Sequence, residues 1–332
     1  MNRTSPRRQH GLSLVELMVA IVLAVLLIGG VMQIFLASRQ TYSTNSALSR
    51  VQENGRFAME FLGYDVRNAG YKGECLGTPN NLLNESGTGY HADLFDMSTA
   101  IKGWENASPT WVTNRRAGTD VILLKHAAGV SGVTATGNTP ANSNTISVNN
   151  ASSLPNNTIV IVSDALGCDT FQTRNNQNAT TLSRGNVGTP GNKNPGSHDF
   201  SHAYDSSMEI LKLRSAIYYI GPGASGLPAL RRISFDTGVA DNQELVEGIQ
   251  DMQILYGLAD LDQQVTQYVQ ADSVTNWDNV AAVRIELLAV SPDTNVVAED
   301  QVVSFNGSDV TIGNRRLAQP FTTTLGVRNR LP

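Results

Sequence analysis

The chain has 332 residues, of which 41% are hydrophobic and 16% are charged, and its formal net charge at pH 7 is −5. This length and apolar content are sufficient for a folded core in one large domain or two medium ones, and they exclude disorder driven by an excess of charge. The mildly acidic balance excludes a broadly basic surface, so we expect no nucleic-acid partner.

The N-terminal part of the chain contains one long apolar stretch, from residue 11 to residue 37. Between residues 12 and 37, Glu16 is the only ionisable side chain. A helix rises about 1.5 Å per residue, so this stretch is long enough to span a hydrocarbon layer about 30 Å thick. Three arginines precede the stretch and favour a cytoplasmic N-terminus. We therefore predict that residues 12–37 form a single transmembrane helix and that the chain beyond it lies outside the cytoplasm.

The position of Glu16 near the start of this helix needs a reason, because a charge at the centre of a membrane span costs about 2.5–3.5 kcal/mol. In a plain signal anchor, Glu16 would lie among the lipid headgroups. If the chain is instead cut after Gly11, the new amino group of Leu12 becomes a cation, which the Glu16 carboxylate of a neighbouring subunit could neutralise. A secretory signal peptide is disfavoured, because the apolar run is too long and no small-x-small cleavage site follows it.

Two arginines, residues 11–16 and the apolar helix that follows them resemble a type IV prepilin leader. Leaders of this family usually have Phe after the cleaved glycine, where this chain has Leu12. The resemblance implies that a prepilin peptidase removes residues 1–11 and that Leu12 is N-methylated. It also implies residence in the inner membrane with the head in the periplasm, followed by incorporation into a pilus, in which Glu16 forms the assembly charge pair.

Residues 38–70 continue the helical pattern with an amphipathic period. Small and apolar residues recur at spacings of three and four, and bulkier ones such as Phe57 and Phe61 widen the stripe. We predict that this stripe faces a globular head and that the helix ends at Gly63 or Gly70. The repeating residues are Leu48, Val51, Gly55, Ala58 and Leu62.

Residues 71–332 combine turn-forming residues with short apolar runs, which is typical of a β-rich head. Glycine and proline punctuate residues 71–118, where we predict mostly loop. The segment 173–196 is so rich in Asn, Gly and Thr that we predict a long exposed loop. Predicted strands begin at Thr119, Asn157, Met208, Pro228 and Val280, with others at residues 144–148, 244–258 and 321–327.

The chain contains two cysteines, Cys75 and Cys168, both in the part expected outside the cytoplasm. In an oxidising periplasm a disulfide between them is the first expectation, and in the chain-entropy model closing so long a loop stabilises the fold by about 4.7 kcal/mol. The alternative is two unrelated free thiols. Because no C-x-x-C spacing is present, we expect neither a zinc site nor a redox site at these cysteines.

No group of residues in the sequence predicts catalysis. His198 and His202 would share one face as metal ligands only on a helix, and the surrounding glycines and asparagines disfavour a helix there. Asp260 and Asp262 lack the loop glycine and the distal glutamate of an EF-hand, so a solvated turn is the favoured interpretation. The chain has no nucleophile elbow and no phosphate-binding loop. We therefore expect no enzyme activity, no cofactor and no metal.

Five segments beyond the leader carry a second resemblance: RFAMEFLGYDVRNAGYKG (56–73), SAIYYIG (215–221), PALRR (228–232), ELVEGIQDMQILYG (244–257) and PFTTTLGVRNRLP (320–332). Together they resemble the PilW family of type IV pilus minor pilins. The resemblance implies an α+β fold in which the long N-terminal helix packs on a mainly antiparallel β-sheet head of the J-type pseudopilin kind. It also implies a minor-pilin complex that primes pilus assembly at the tip for twitching motility. Its partners would be other minor pilins, the major pilin and a tip adhesin.

Two alternatives stay open at the level of sequence. A J-type pseudopilin of a type II secretion system would share the leader and the fold, whereas a membrane-anchored periplasmic binding or adhesion module would use the helix only as an anchor. The size of the chain and its C-terminal ending favour a pilus. We therefore expect a type IV minor pilin that consists of a leader (1–11), a hydrophobic helix (12–37), its amphipathic continuation (38–70) and a head (71–332).

Overall fold

The computed structural model of the chain describes residues 13–176, 178–260, 262 and 264–330. Within these residues one long helix, α1 (Leu14–Asn68), carries a head built mainly from antiparallel β-strands. This architecture confirms the predicted α+β class.

Helix α1 runs for 55 residues without a break, passing through both Gly29 and Gly30. It begins after Ser13, whose side chain caps the first turn, and it ends before Ala69 and Gly70. Gly70 has a backbone φ of +83°, a left-handed conformation that glycine adopts at little cost, so the chain leaves the helix there. At about 1.5 Å per residue the helix is roughly 80 Å long.

The head contains sixteen strands and one further short α-helix, α2 (Ala92–Phe95), in the described residues. The strands are β1 (Asn80–Asn81), β2 (Ile101–Trp104), β3 (Val121–Gly129), β4 (Thr145–Ser147), β5 (Ile159–Ser163), β6 (Cys168–Gln172), β7 (Thr181–Ser183), β8 (Glu209–Pro222), β9 (Pro228–Ser234), β10 (Asp241–Glu247), β11 (Ile249–Ala259), β12 (Val265–Val269), β13 (Val280–Val290), β14 (Gln301–Phe305), β15 (Ser308–Ile312) and β16 (Ala318–Gly326). Short 3-10 turns occupy Ala271–Ser273, Trp277–Asn279 and Arg328–Arg330.

The larger sheet has eight strands arranged around the 14-residue strand β8. Strand β5 pairs with the first part of β8, β9 pairs with its last part, and β3 pairs along its other edge. Beyond these, β6 and β1 follow β5, β2 follows β3, and β10 follows β9. Every pair of strands described in this sheet is antiparallel except β1 with β6.

The second sheet has the strand order β12-β11-β13-β16 and is antiparallel throughout. In its central strand β13, Val283, Ile285 and Leu287 are fully buried, whereas Arg284 and Glu286 are only partly buried. This alternation confirms the strand predicted from the sequence. Two small two-stranded sheets, β14 with β15 and β4 with β7, complete the head.

The amphipathic half of α1 packs against both sheets and forms one core with them. At Gly55 the helix lies close to β16, because a Cβ atom at this position would be 2.2 Å from the ring of Phe321. The glycine therefore allows an aromatic ring to lie directly on the helix backbone. The helix residues buried in this core are Val51, Ala58, Leu62 and Val66.

The structure corrects two expectations about exposure. Phe57 and Phe61 were expected to widen the buried stripe, but they are 38% and 41% exposed, because they lie on the flank of α1 beside the larger sheet.

The segment 173–196 is largely irregular, yet it is not the exposed loop that its composition predicts. Arg184 and Asn192 are buried in it because their polar groups bond to backbone carbonyls, which compensates for burial.

Candidate functional site

The first turn of α1 holds Glu16 in a reciprocal capping arrangement with Ser13. The backbone N–H of Glu16 donates to Ser13 Oγ at 3.2 Å, and the backbone N–H of Ser13 donates to a Glu16 carboxylate oxygen at 2.9 Å. This capping box satisfies two N–H groups that the helix itself leaves unbonded. In the isolated chain, therefore, the carboxylate predicted to pair between subunits is bonded within its own helix. Gly11 and Leu12 lie outside the described residues, so cleavage and methylation there stay predictions.

The apolar half of α1 is not covered by any other described part of the chain. Every large apolar side chain from Leu14 to Leu36 is at least 52% exposed. This segment is long and apolar enough to cross a membrane, judged by its length and composition. An exposed apolar helix of this length requires either lipid or neighbouring helices to cover it.

The head contacts α1 close to the end of its apolar half. Gln40 and Thr44 both donate to the backbone carbonyl of Val296, at 2.9 and 2.5 Å, and Val296 is itself buried. Six residues beyond Thr44, Arg50 forms an exposed ion pair with Asp293. The head therefore begins to hold the helix only a few residues beyond the predicted membrane boundary.

At the other end of α1, a buried polar cluster joins the helix to the larger sheet. Asp65 accepts hydrogen bonds from His126 of β3 at 3.1 Å and from the hydroxyl of Tyr218 of β8 at 2.6 Å. The second ring nitrogen of His126 faces the carbonyl of Ala127 at 2.9 Å. Both ring nitrogens of His126 therefore have an oxygen partner. Burial by itself would raise the pKa of Asp65, but the hydrogen bonds from His126 and Tyr218 outweigh it and hold the pKa below its ordinary value.

Beside this cluster, a groove of about 560 Å³ runs between α1 and the larger sheet. Three aromatic residues one turn apart, Phe57, Phe61 and Tyr64, line its helical wall and remain partly exposed. Tyr218 and Arg232 line the opposite wall. We call Phe57, Phe61 and Tyr64 the aromatic stripe. Single exposed apolar residues are common, but three at helical spacing beside a groove are typical of a contact surface.

Cys75 and Cys168 form a disulfide, with their Cα atoms 5.5 Å apart. The bond joins the loop after α1 to the start of β6, across 93 residues of sequence. The predicted pairing is therefore present in the structure. It is the type of bond that persists in an oxidising compartment.

Two carboxyl groups meet between the sheets, where the sequence predicted nothing. Asp120 accepts a hydrogen bond from the backbone N–H of Ile254 at 2.8 Å, which links the start of β3 to β11. Glu105 lies near it and accepts from Gln270 at 3.0 Å. Burial, together with the charge of Asp120, raises the pKa of Glu105 to about 7. Sequence spacing could not have revealed this pair, because the two residues come together only through tertiary contacts.

The remaining candidate residues do not assemble a metal or catalytic site. His202 bonds Asp164 at 2.9 Å, whereas His198 faces the carbonyl of Asn194, so the two histidines have different partners. Asp260 accepts from the backbone N–H of Asp262 within a turn. Across the part of the chain that the structure describes, no group of three or more His, Cys, Asp or Glu side chains is arranged to hold a metal ion.

Comparison with known proteins gives two matches. The family model described as type IV pilus-assembly protein W matches residues 217–329, and the model described as the prokaryotic N-terminal methylation motif matches residues 6–32. The first match covers the last part of β8 and all strands from β9 to β16, and the second covers the end of the leader and most of the apolar half of α1. No curated protein and no solved structure matches the chain. Both resemblances found in the sequence are thereby confirmed.

Proposed function

We propose that this chain, whose leader and head fit a PilW-like type IV pilin, is a minor pilin that primes pilus assembly and lies at the pilus tip. Its pilin signatures mark it as a structural component of a type IV pilus that is processed by prepilin peptidase and assembles with other pilins. The partners within that assembly are other minor pilins, the major pilin and a tip adhesin, and the function served is twitching motility.

The proposal rests on the difference in exposure between the two halves of one unbroken helix. The residues from Leu14 to Leu36 are exposed on all sides, whereas the same helix is held by the head from Gln40 to Asp65. The contacts between the head and α1 leave the apolar half uncovered. That half is therefore covered by the inner membrane before assembly and by the helices of neighbouring pilins afterwards, with the N-terminus in the cytoplasm and the head in the periplasm.

Within this proposal Glu16 changes partners during assembly. In the isolated chain its carboxylate accepts a hydrogen bond from the backbone N–H of Ser13. After cleavage behind Gly11, the N-methylated amine of Leu12 is a cation at the end of the same helix. Pairing of Glu16 with the Leu12 amine of an adjacent subunit would neutralise both charges and fix the register between helices.

The aromatic stripe extends this lateral contact to the head. Phe57, Phe61 and Tyr64 follow the apolar half along the same helix, and the groove beside them has room for the side chains of a neighbouring subunit. Burial of aromatic side chains contributes strongly to protein interfaces. The stripe would therefore be covered in the assembled complex and exposed in the free subunit.

The first experiment determines the mature N-terminus by mass spectrometry of the chain from its native host. The proposal requires Leu12 as the first residue, carrying one added methyl group. A protein that still starts at Met1, or that is cut beyond residue 37, would refute it.

The second experiment replaces Glu16 with Val and measures surface pili and twitching, with Glu53→Val as the matched control. Glu53 lies on the same helix and is exposed on the head half. We expect Glu16→Val to insert and to be cleaved normally but to lose pilus incorporation, while Glu53→Val behaves as wild type. Normal piliation by Glu16→Val would eliminate the charge-pair role.

A further inference from the structure

Strand β16 forms one edge of the second sheet and is the longest edge strand among the described residues. It pairs with β13 over all nine of its residues, without a shift in register. In an antiparallel pair, the backbone N–H and C=O groups of successive residues point alternately toward the partner strand and away from it. Half of the backbone groups of β16 therefore face away from the sheet.

The hydrogen bonds at the two ends of β16 show which of its residues face outward. The carbonyl of Leu317 accepts from the backbone N–H of Ser291 at 2.7 Å, and the N–H of Val327 donates to the carbonyl of Ala281 at 2.8 Å. Odd-numbered residues thus bond toward β13, so even-numbered residues present their backbone groups to the outer edge. The outward-facing residues are Ala318, Pro320, Thr322, Thr324 and Gly326.

The first part of this outer edge is closed to another strand. The side-chain amide of Gln301 accepts from the backbone N–H of Ala318 at 2.8 Å and donates to its carbonyl at 3.0 Å, as a neighbouring strand would. Pro320 follows on the same edge and has no N–H group to donate. Proteins commonly use proline and such coverings to keep edge strands from pairing with other chains.

The second part of the edge, residues 322–326, has neither protection, and we call it the open edge. Its sequence TTTLG contains no proline and no lysine, and its pairing with β13 is regular. Thr322 and Thr324 are exposed, and within the described residues no hydrogen bond reaches their backbone N–H or C=O groups. The Thr324 hydroxyl accepts from Arg284 Nε at 3.2 Å, which leaves the backbone groups unoccupied. Two N–H and two C=O groups thus lie unpaired along one extended stretch.

We propose that the open edge is a docking site for an extended segment of another protein, which adds a fifth strand to the second sheet. The unpaired groups of Thr322 and Thr324 repeat at about 6.8 Å, the distance of two residues along a strand. An extended main chain carries complementary groups at the same spacing, and strand addition is a common mode of peptide recognition. A helix bonds its backbone groups internally, so a helical partner would leave the edge unpaired.

A second copy of this chain does not fit the open edge. Two identical edges pair about a two-fold axis with their strands antiparallel, and the same rotation also reverses the two helices α1. In the proposed membrane orientation every copy has its N-terminus in the cytoplasm, so its helices run in one direction. The inference rests on the proposed function only for this choice of occupant.

The first test places a photo-crosslinking residue at position 324 of the full chain in its native host and combines it with Thr322→Pro or Thr322→Val. Proline removes the outward N–H but no bond to β13, because residue 322 bonds away from that strand. Valine is the matched control, since it keeps the N–H and removes only the hydroxyl. We expect a discrete protein adduct that Thr322→Val retains and that Thr322→Pro reduces at least about tenfold.

The second test uses the wild-type full chain in detergent, so it does not depend on the folding of Thr322→Pro. The crosslinked segment is synthesised as a peptide, and residue-resolved hydrogen exchange is measured with and without it. The amides of Thr322 and Thr324 should exchange rapidly in the free chain and become protected by the peptide. Those of Thr323 and Leu325 face β13 and should be protected in both states. A peptide N-methylated on the residues that face the edge should not bind.

Several outcomes would overturn the proposal: no adduct, an adduct to lipid or to a second copy of the chain, an adduct that Thr322→Pro leaves unchanged in a folded head, or a peptide that leaves the exchange of Thr322 and Thr324 unchanged. Thermal unfolding shows whether the head of Thr322→Pro is folded. Processing at Leu12 is measured in the same cells. Failure of that processing refutes the pilin function, whereas normal processing without the adduct refutes only the strand addition.

Discussion

The two halves of α1 share one continuous helical backbone, but they differ in what covers them. Leu26, in the first half, is 66% exposed, whereas Leu62, in the second half, is completely buried between the sheets. Burial of one leucine side chain contributes about 1.5–3 kcal/mol, so the second half supports the folded head while the first half contributes nothing to it. In the free subunit the second half of the helix is therefore packed against the head, whereas the first half has nothing packed against it. Stability of the head and competence for assembly should therefore be separable by mutation.

The largest effect is expected at the buried cluster that anchors the helix. Asp65→Asn removes the charge that faces His126 and should destabilise the head by about 3–5 kcal/mol at pH 7. The wild-type pKa of Asp65 is held below its ordinary value of 3.8, so its contribution is present above that pH and is lost as the pH falls through the lowered pKa. Denaturant unfolding of the full chain in detergent at pH 7 and pH 3 measures both effects.

The control for Asp65→Asn is Asp293→Asn, which breaks the exposed ion pair with Arg50. It should cost less than about 1 kcal/mol at either pH. Equal costs for the two variants would show that the buried cluster does not anchor α1.

A second prediction tests the two halves with the same substitution. Leu62→Ala leaves a cavity in the core shared by helix and sheets and should cost about 3 kcal/mol of head stability. Leu26→Ala should leave the thermal unfolding of the head unchanged, because its side chain contacts no part of the head. A destabilised head in Leu26→Ala would contradict the division of the helix into two independent halves.

Two glycines provide a third test of the same division. Gly55→Ala places a methyl group against the ring of Phe321 and should destabilise the head by about 2 kcal/mol, despite the better helix propensity of alanine. At Gly29 nothing lies within 4 Å of the added methyl group, so Gly29→Ala should not destabilise the head. Circular dichroism melting of both variants measures the difference. A stabilised Gly55→Ala variant would show that Phe321 can move aside without cost.

The smallest effect is expected at Glu105, a carboxyl group whose pKa is raised by its burial in the head. Its pKa is raised from 4.5 to about 7, so the folded state retains the proton and stability falls as the pH rises between these values. Glu105→Gln should abolish this decline and stabilise the head at pH 8 by about 1 kcal/mol, a modest value because solvent screens the group. At pH 4 the variant and the wild type should unfold together. The exposed Glu299→Gln serves as the control and should retain the wild-type decline, because Glu105 is unchanged in it.

The parts of the fold that local pattern determines were predictable. The helix and the alternating strand β13 follow from their hydrophobic periods, and the disulfide follows from cysteine count and compartment. Strand β6 was not predicted, because Asp169, Thr170 and Gln172 are polar yet buried, and their partners come from distant segments. The burial of Arg184 was missed for the same reason. Sequence periodicity reports which face of an element is apolar, but it does not report which polar groups find partners.

The candidate site divides in the same way. Glu16 is evident in the sequence, since it is a lone charge in an apolar run. The aromatic stripe was recognised as apolar, but its exposure depends on where the larger sheet ends beside α1. The partnership of Asp65 with His126 joins residues 61 positions apart and has no local signal.

The head contacts α1 at Gln40, through the carbonyl of Val296, and at Asp65, through His126. A rotation of the helix about its axis would therefore rotate the head with it. Each residue of an α-helix turns by about 100° and advances by about 1.5 Å. A shift of one residue in how the apolar half packs against neighbouring helices would therefore rotate the head by about 100° about the helix axis. The same shift would move the head only about 1.5 Å along that axis. The pairing proposed for Glu16 would fix that register and with it the direction in which the head faces.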